Sequence, residues 1–300
     1  MSQPLHCDLT HCTLCPQQCG GDRTRGSGRC RMPAEPVLAR AALHHWEEPP
    51  LSGTRGAGTV FFSGCSLSCV FCQNDSISQK NFGRAVSPTR LREIFQELID
   101  AGAHNIDLVN PTHYAHVIRQ VLKDPLPVPV VWNSGGYDRV ETIAALEGSI
   151  QIYLPDLKYP DGPGAKRYAG AEDYPEMAKA AIQEMVRQTG PYQLDEDGIL
   201  QRGVILRHLI LPGRLAQAKE VIDWVAETFP PHTVLFSLMS QYIPWGRAVE
   251  YPELNRRLRK SEIRAAVDYL KQFQLDGFVQ EEGAAQAAYI PSFDLTGVET

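Results

Sequence analysis

Residues 73–300 contain no cysteine, although the chain has eight, at positions 7, 12, 15, 19, 30, 65, 69 and 72. An even count would also suit four disulfides, but 300 residues at 43% hydrophobic content hold enough potential core to need no such staples. Long apolar runs are also missing: none approaches the ~18 residues that cross a bilayer, so no membrane span is expected. The start, MSQPLHCDLTHC, has no basic segment followed by an apolar one, so no secretory signal is expected and a cytoplasmic location is. Positive charge is not in excess. With 29 Lys and Arg against 35 Asp and Glu, the net charge of −6 offers no footprint for nucleic acid. No GxGxxG follows the first expected strand, which removes the main support for a dinucleotide-binding sheet. In a reducing compartment, a dense cysteine set points to metal binding or redox chemistry.

What is present divides into a short head and a long repeating body. Residues 1–57 are rich in Cys, Gly, Pro, Arg and His with little periodicity, as expected of loops organised around a metal. Residues 58–245 read as a core of alternating strands and helices, and 246–300 as a C-terminal helix and tail packing on it. Strands are expected near 58–64, 104–110, 128–133, 150–155, 203–211 and 233–239. Helices are expected from Pro88 to about Gly102 and near 113–123, 138–147, 172–189, 214–228 and 260–272. The first of these has Ser87 to cap it, Pro88 at its first position, and Leu91, Ile94, Phe95, Leu98 and Ile99 on one face. Continuous apolar strands linked by helices predict an α/β fold with a parallel sheet. Six such units predict a partial (β/α)6 barrel, open on one side, with an open doubly wound sheet as the alternative. In either case ligands sit at the carboxyl ends of the strands, and the cysteines at 65, 69 and 72 fall there.

GCSLSCVFCQN sets Cys65, Cys69 and Cys72 in the spacing C-x3-C-x2-C directly after the first expected strand. Iron–sulfur cubanes are held by cysteine thiolates and usually take four, so three at one loop leave one iron open to another ligand. A zinc site completed elsewhere is the competing reading. In the head, Cys12, Cys15, Cys19 and Cys30 form C-x2-C-x3-C-x10-C, a set suited to a closed four-thiolate site. Either a second [4Fe–4S] cluster or zinc would satisfy that set, the cluster being favoured. Cys7 is left without a duty.

The triplet, with Phe71 just before its last cysteine, resembles that of the radical S-adenosylmethionine superfamily. HCTLCPQQCGGDRTRGSGRC, IDLVNPTHY (106–114), WNSGGYDRVETI (132–143), YLPDLKY (153–159), ILRHLILPG (205–213), LMSQYIP (238–244) and IPSFDLTGV (290–298) extend the likeness over nearly the whole chain. They resemble the PflX-like branch related to pyruvate formate-lyase activating enzyme. The resemblance implies that S-adenosylmethionine chelates the open iron of a [4Fe–4S] cluster on Cys65, Cys69 and Cys72, the catalytic cysteines. It implies reductive cleavage to a 5′-deoxyadenosyl radical, which removes a hydrogen atom from the substrate. Phe71 would pack near the adenine. Pro111, Thr112 and His113 stand where relatives carry a Gly-Gly-Glu stretch, which leaves the methionine amine to backbone carbonyls or to Asn110 and Thr112. Ser134, Asp156 and Lys158 lie where relatives bind the methionine carboxylate and ribose, with Arg207 and His208, then Gln241 and Tyr242, next in line. A one-electron donor such as flavodoxin or ferredoxin is implied as a partner. The target is expected to be a glycine of a glycyl radical enzyme, or else a small molecule or peptide modified directly; a metal-binding protein without turnover is the remaining alternative.

Several of these residues have plainer readings. Asp156 and Lys158 share a strand face and could simply pair with each other. Arg207 and His208 point to opposite faces, so at most one enters the barrel. Tyr242 could serve packing, and His44, His45 and His116 are expected to be solvated or satisfied.

Overall fold

The computed structural model describes residues 5, 7–280 and 291–299. Residues 1–4 and 6 of the expected head, and 281–290 and 300 of the expected tail, lie outside the described residues, as does Ile290 of the IPSFDLTGV motif. The strands are β1 (Val37–His44), β2 (Ala57–Phe62), β3 (Arg84–Ala85), β4 (Ile106–Val109), β5 (Val130–Ser134), β6 (Ile152–Pro155), β7 (Gln193–Leu194), β8 (Leu200–Leu209), β9 (Leu235–Met239) and β10 (Gly277–Val279). The helices are α1 (Pro49–Ser52), α2 (Asp75–Ser78), α3 (Pro88–Asp100), α4 (Ala115–Val121), α5 (Val140–Ala144), α6 (Gly162–Ala169), α7 (Tyr174–Thr189), α8 (Leu215–Thr228) and α9 (Lys260–Leu270). None is long and apolar enough to cross a membrane.

The α3 signals act as read: Ser87 Oγ accepts the Arg90 N–H at 3.1 Å, and Leu91, Ile94, Phe95 and Leu98 are buried. A cap of this kind contributes about 1 kcal/mol. Strand order is β10-β9-β8-β6-β5-β4-β2-β1-β3, and along it the pairs from β10 to β2 are all parallel; β7, off this order, pairs antiparallel with β8. Parallel neighbours that follow chain order have no point where the winding reverses, which excludes the doubly wound sheet and gives the wall of a partial barrel. Its edges, β10 on one side and β1 with β3 on the other, do not pair with one another among the described residues. The barrel is therefore open laterally.

Among the described residues, four strands go beyond the expected six: β1, β10 and the two-residue β3 and β7, which pair antiparallel with β1 and β8. β1 lies in the segment expected to be metal-organised loops, yet it pairs antiparallel with β2 from Leu38 opposite Phe62 to His44 opposite Ala57. β10 adds a further parallel strand beside β9.

The period of two sorts the strand residues into layers. Trp132, Tyr153, Leu206, Phe236 and Leu238 face outward into the large core under the helices. Val131, Ile152, Leu154, Ile205 and Leu235 face inward and close on Leu51 of α1, an apolar plug. One step toward the carboxyl ends, the same inward faces carry Asn133, Asp156, Arg207 and Ser237, so a polar layer lies directly above the plug.

Candidate functional site

β2 ends at Phe62, and Gly64, at φ +83°, turns the chain into the cysteine loop. A Cβ there would lie 2.2 Å from Met32 Cγ, so glycine is required for the loop to pass the head. The loop is latched on its far side: Ser68 N–H donates to Ala169 O and Val70 N–H to Tyr168 O, each at 2.9 Å. Both carbonyls belong to α6, a helix whose GPG start disguises it in sequence; Asp161 Oδ1 caps it by accepting the Gly164 N–H at 2.6 Å. Gln79 Nε2 donates to Leu67 O at 3.0 Å and holds the loop from below.

Cys65, Cys69 and Cys72 all face one cavity of about 250 Å³ at the carboxyl ends of the strands. Burial pushes the Cys65 and Cys69 thiols up to about 12 and raises Cys72 as well, while Lys158 pulls all three back. Thiols held neutral by burial become thiolates when a metal takes the place of their protons, and three soft donors around one space fit iron. Among the described residues no group of three or more His, Cys, Asp or Glu side chains stands at the spacing of a single bound ion. The thiol sets are therefore read by their donor chemistry rather than as preformed single-ion cages. Phe71 is buried beside them, edge-on to Tyr242 with ring centroids 5.6 Å apart. Tyr242 both lines the cavity and packs, its hydroxyl donating to Leu254 O at 2.8 Å.

Asn110, Ser134, Asp156, Lys158, Arg207 and Gln241 complete the wall of the same cavity. Asn110 follows β4 in the left-handed region at φ +60°, donates to Gly64 O, and has its Oδ1 3.6 Å from Cys65 Sγ. Asp156 and Lys158 do pair with one another, but Asp156 also accepts Arg207 Nε at 2.9 Å. Burial alone would raise the Asp156 carboxyl; Arg207 and Lys158 together hold it below its ordinary value. Burial likewise opposes the Lys158 charge, and Asp156 together with Cys69 more than offsets that. Arg207 Nη2 donates to Asn133 Oδ1 at 2.7 Å, whereas His208 turns outward to Leu157 O at 2.6 Å. Gln241 Nε2 lies 3.8 Å from Met239 Sδ.

Thr112 departs from expectation. It does not line the cavity; it is buried and donates to Asp138 Oδ1 at 2.7 Å. Asp138 also receives Ser134 Oγ at 2.5 Å and Trp132 Nε1 at 3.4 Å, so it gathers the polar groups behind the wall. Ser134 thus reaches the cavity with its hydroxyl already committed. His113 faces away too, its Nε2 meeting Ser63 O at 2.7 Å.

Sequence reasoning passed over Glu47 and Glu48, which approach Arg207 Nη1 to 3.5 and 3.8 Å, and Asp107, buried behind Asn133. Asp107 could have been found as the one charged residue in an apolar strand. The two glutamates precede β2 and carry no such mark.

In the head, Cys12, Cys15 and Cys30 are buried, Cys19 is exposed, and all eight cysteines of the chain are free thiols. Cys12, Cys15, Cys19 and Cys30 lie close enough to act electrostatically on one another. Cys7 hydrogen-bonds Cys12, which brings the Cys12 thiol down to about 5 and drives that of Cys7 up. Arg23, fully buried, was also missed. Its Nη1 lies 3.7 Å from Cys12 Sγ and its remaining donors reach Met32 O at 2.8 Å and Pro33 O at 2.7 Å. A buried guanidinium among thiols is the counter-charge that a set of thiolates would require.

Residues 52–148 match the family described as a 4Fe-4S single cluster domain. The chain is 30% identical to the uncharacterized protein MJ0674 of Methanocaldococcus jannaschii over 277 residues, 89% of this chain and 76% of that one. Its fold is similar to the crystal structure of SuiB from Streptococcus suis, with a TM-score of 0.51 and 14% identity over 74% of this chain. The chain spans about half of SuiB, 48% of its length, and at that identity the likeness is one of fold.

Proposed function

We propose that this chain, which belongs to one family with the methanogen protein, is a member of the radical S-adenosylmethionine superfamily in which Cys65, Cys69 and Cys72 hold a [4Fe–4S] cluster for reductive cleavage of S-adenosylmethionine. When bound, cluster and cofactor supply one-electron cleavage of a sulfonium and hydrogen-atom abstraction, which no side chain provides. The chain's own residues bind, orient and exclude water. Phe71 offers an apolar face beside the thiols. Lys158 supplies a point charge for a carboxylate, held in place by Asp156, and Asn110 presents a polar group next to Cys65. Arg207 fixes Asp156 from the opposite side. The observation that carries this reading is the convergence of three buried thiols with these polar residues on one cavity at the carboxyl ends of parallel strands.

The resemblance of the sequence motifs to those of activating enzymes favours a glycine of a partner glycyl radical enzyme as the target, reached through the open side of the barrel, with flavodoxin or ferredoxin as the electron donor. A second reading, direct modification of a small molecule or peptide, is favoured by a cavity of about 580 Å³ that adjoins the first and shares Asn133, Arg207, Met239 and Gln241 with it. The head thiols are read as a second [4Fe–4S] site, with zinc as the alternative.

Anaerobic reconstitution followed by a reductant-dependent assay for 5′-deoxyadenosine tests the proposal. Alanine at Cys65, Cys69 or Cys72 abolishes the product; turnover retained in any of the three variants sinks the reading. Deuterium transferred from a glycyl radical protein, or from a small molecule, into 5′-deoxyadenosine decides between the two targets.

A further inference from the structure

The adjoining cavity opens between the two free edges of the barrel wall, bounded by His44 and Trp46–Pro49 after β1 and by Phe278–Gln280 of and after β10. Trp46, 67% exposed, stands at its margin. Its inner end is the polar layer above the apolar plug. There Glu47, Glu48 and Asp156 gather around two cations among the described residues, Arg207 and Lys158, with Asp107 buried behind Asn133 and its carboxyl raised well above its ordinary value by burial.

Arg207 does not satisfy this set. Its Nε is committed to Asp156 and its Nη2 to Asn133, and Nη1 lies 3.5 Å from Glu47 and 3.8 Å from Glu48, long for hydrogen bonds. Glu48 Oε1 accepts Ser237 Oγ at 3.2 Å, but among the described residues its Oε2 has no hydrogen-bond donor, although the side chain is only 9% exposed. Asp107 Oδ1 also has no donor among the described residues, but it lies behind Asn133 and does not line the cavity. A buried carboxylate oxygen without a donor is costly, and the cost falls when a charged donor fills the space in front of it. Burial, only partly offset by Arg207, pushes the Glu48 carboxyl up to about 7, and burial raises Glu47 as well. A neutral guest would leave this deficit in place and an anionic one would deepen it.

We propose that this cavity is the substrate subsite and that Glu47 and Glu48 receive a positively charged group of the substrate, an ammonium or a guanidinium. The word substrate rests on the radical-enzyme reading; the cation site itself does not. Arg207, bridging Asp156 to the two glutamates, places that group next to the cavity of the three cysteines.

The test is equilibrium binding to the reconstituted full chain, with n-butylammonium and methylguanidinium as cationic probes and n-butanol as the neutral counterpart. The expected result is saturable binding of both cations and at least tenfold weaker binding of n-butanol. Glu48→Gln and Glu47→Gln each weaken the cations about tenfold, and Glu48→Asp, which keeps the charge, weakens them less. The comparison of cation with alcohol needs no variant, so it holds even if a substitution impairs folding. Equal binding of cation and alcohol overturns the proposal, as does cation binding unchanged in both glutamine variants. One-for-one displacement of the cation by S-adenosylmethionine also overturns it, because the carboxylates would then serve the cofactor. Failure to form 5′-deoxyadenosine refutes the radical reading while leaving the binding result standing, so the two failures are distinct.

Discussion

Arg23 Nη1 donates to the backbone oxygen of His113 at 2.7 Å, across 90 positions of sequence. His113 is held neutral, its pKa driven down to about 3 by burial, and its Nε2–H donates to the Ser63 carbonyl two residues before Cys65. The head thiols and the cysteine loop are thus joined through one guanidinium and one imidazole. Thr142 Oγ1, donating to Leu14 O at 2.7 Å, makes a second tie between head and barrel.

Replacing Arg23 by Met keeps the apolar stem and removes every donor. Three backbone carbonyls then lose their partner in a buried space, which is expected to lower unfolding stability by about 3 kcal/mol. Lysine recovers only part of that, since a point charge cannot reach carbonyls on several sides as the guanidinium does. Urea unfolding of the two variants checks this. A loss below about 0.5 kcal/mol in Arg23→Met would show that the link does not hold the head.

The cysteine loop was legible in sequence because its ligands are local: three thiols within eight positions, behind an apolar strand. The barrel was legible because six buried parallel strands read as continuous apolar runs. β1 was not, since Ala39, Ala41 and Ala42 are weak strand formers and its pairing partner begins 13 residues after its end. Thr112 was misplaced for a related reason. What decides its direction is Asp138, 26 positions later, and no local pattern joins the two. Glu47 and Glu48 were missed because their meaning comes from Arg207, about 160 positions away in sequence and in contact only once the barrel curls.

Thr112→Val distinguishes a role behind the wall from a role in it. The substitution takes one donor from Asp138, leaving that oxygen, among the described residues, only Trp132 Nε1 at 3.4 Å. Stability is expected to fall by about 1–2 kcal/mol, with the affinity for S-adenosylmethionine unchanged. A calorimetric titration with S-adenosylmethionine beside a thermal melt gives both numbers. Weaker cofactor binding with an unshifted melting temperature would return Thr112 to the cavity.

Serine at Cys15 separates the two thiol sets. Cys15 lies in the head, and its thiol, raised to about 12 by burial, is not among those facing the cavity of Cys65, Cys69 and Cys72. Iron content is expected to drop from about eight to about four atoms per chain, while reductant-dependent 5′-deoxyadenosine formation persists at a measurable rate. About four irons in the unsubstituted protein, together with bound zinc, would assign zinc to the head instead.

Glu48 makes stability depend on pH in a direction opposite to that of most carboxylates. Its folded-state value, about 7, stands above the ordinary 4.5 because of burial, so between those values the folded chain holds a proton that the unfolded chain has lost. Where the folded state binds more protons, stability falls as pH rises. The contribution is fully present below about pH 4.5 and gone above about pH 7, and it amounts to roughly 3 kcal/mol across that window. Glu48→Gln removes the titrating group without changing its size. The melting temperature of the unsubstituted protein is therefore expected to decline relative to that of Glu48→Gln between pH 5 and 7, and the variant to be the more stable above pH 7. Scanning calorimetry of both proteins at matched ionic strength measures the difference. Parallel pH profiles would mean that Glu48 ionises at its ordinary value in the fold, with its charge already balanced by Arg207.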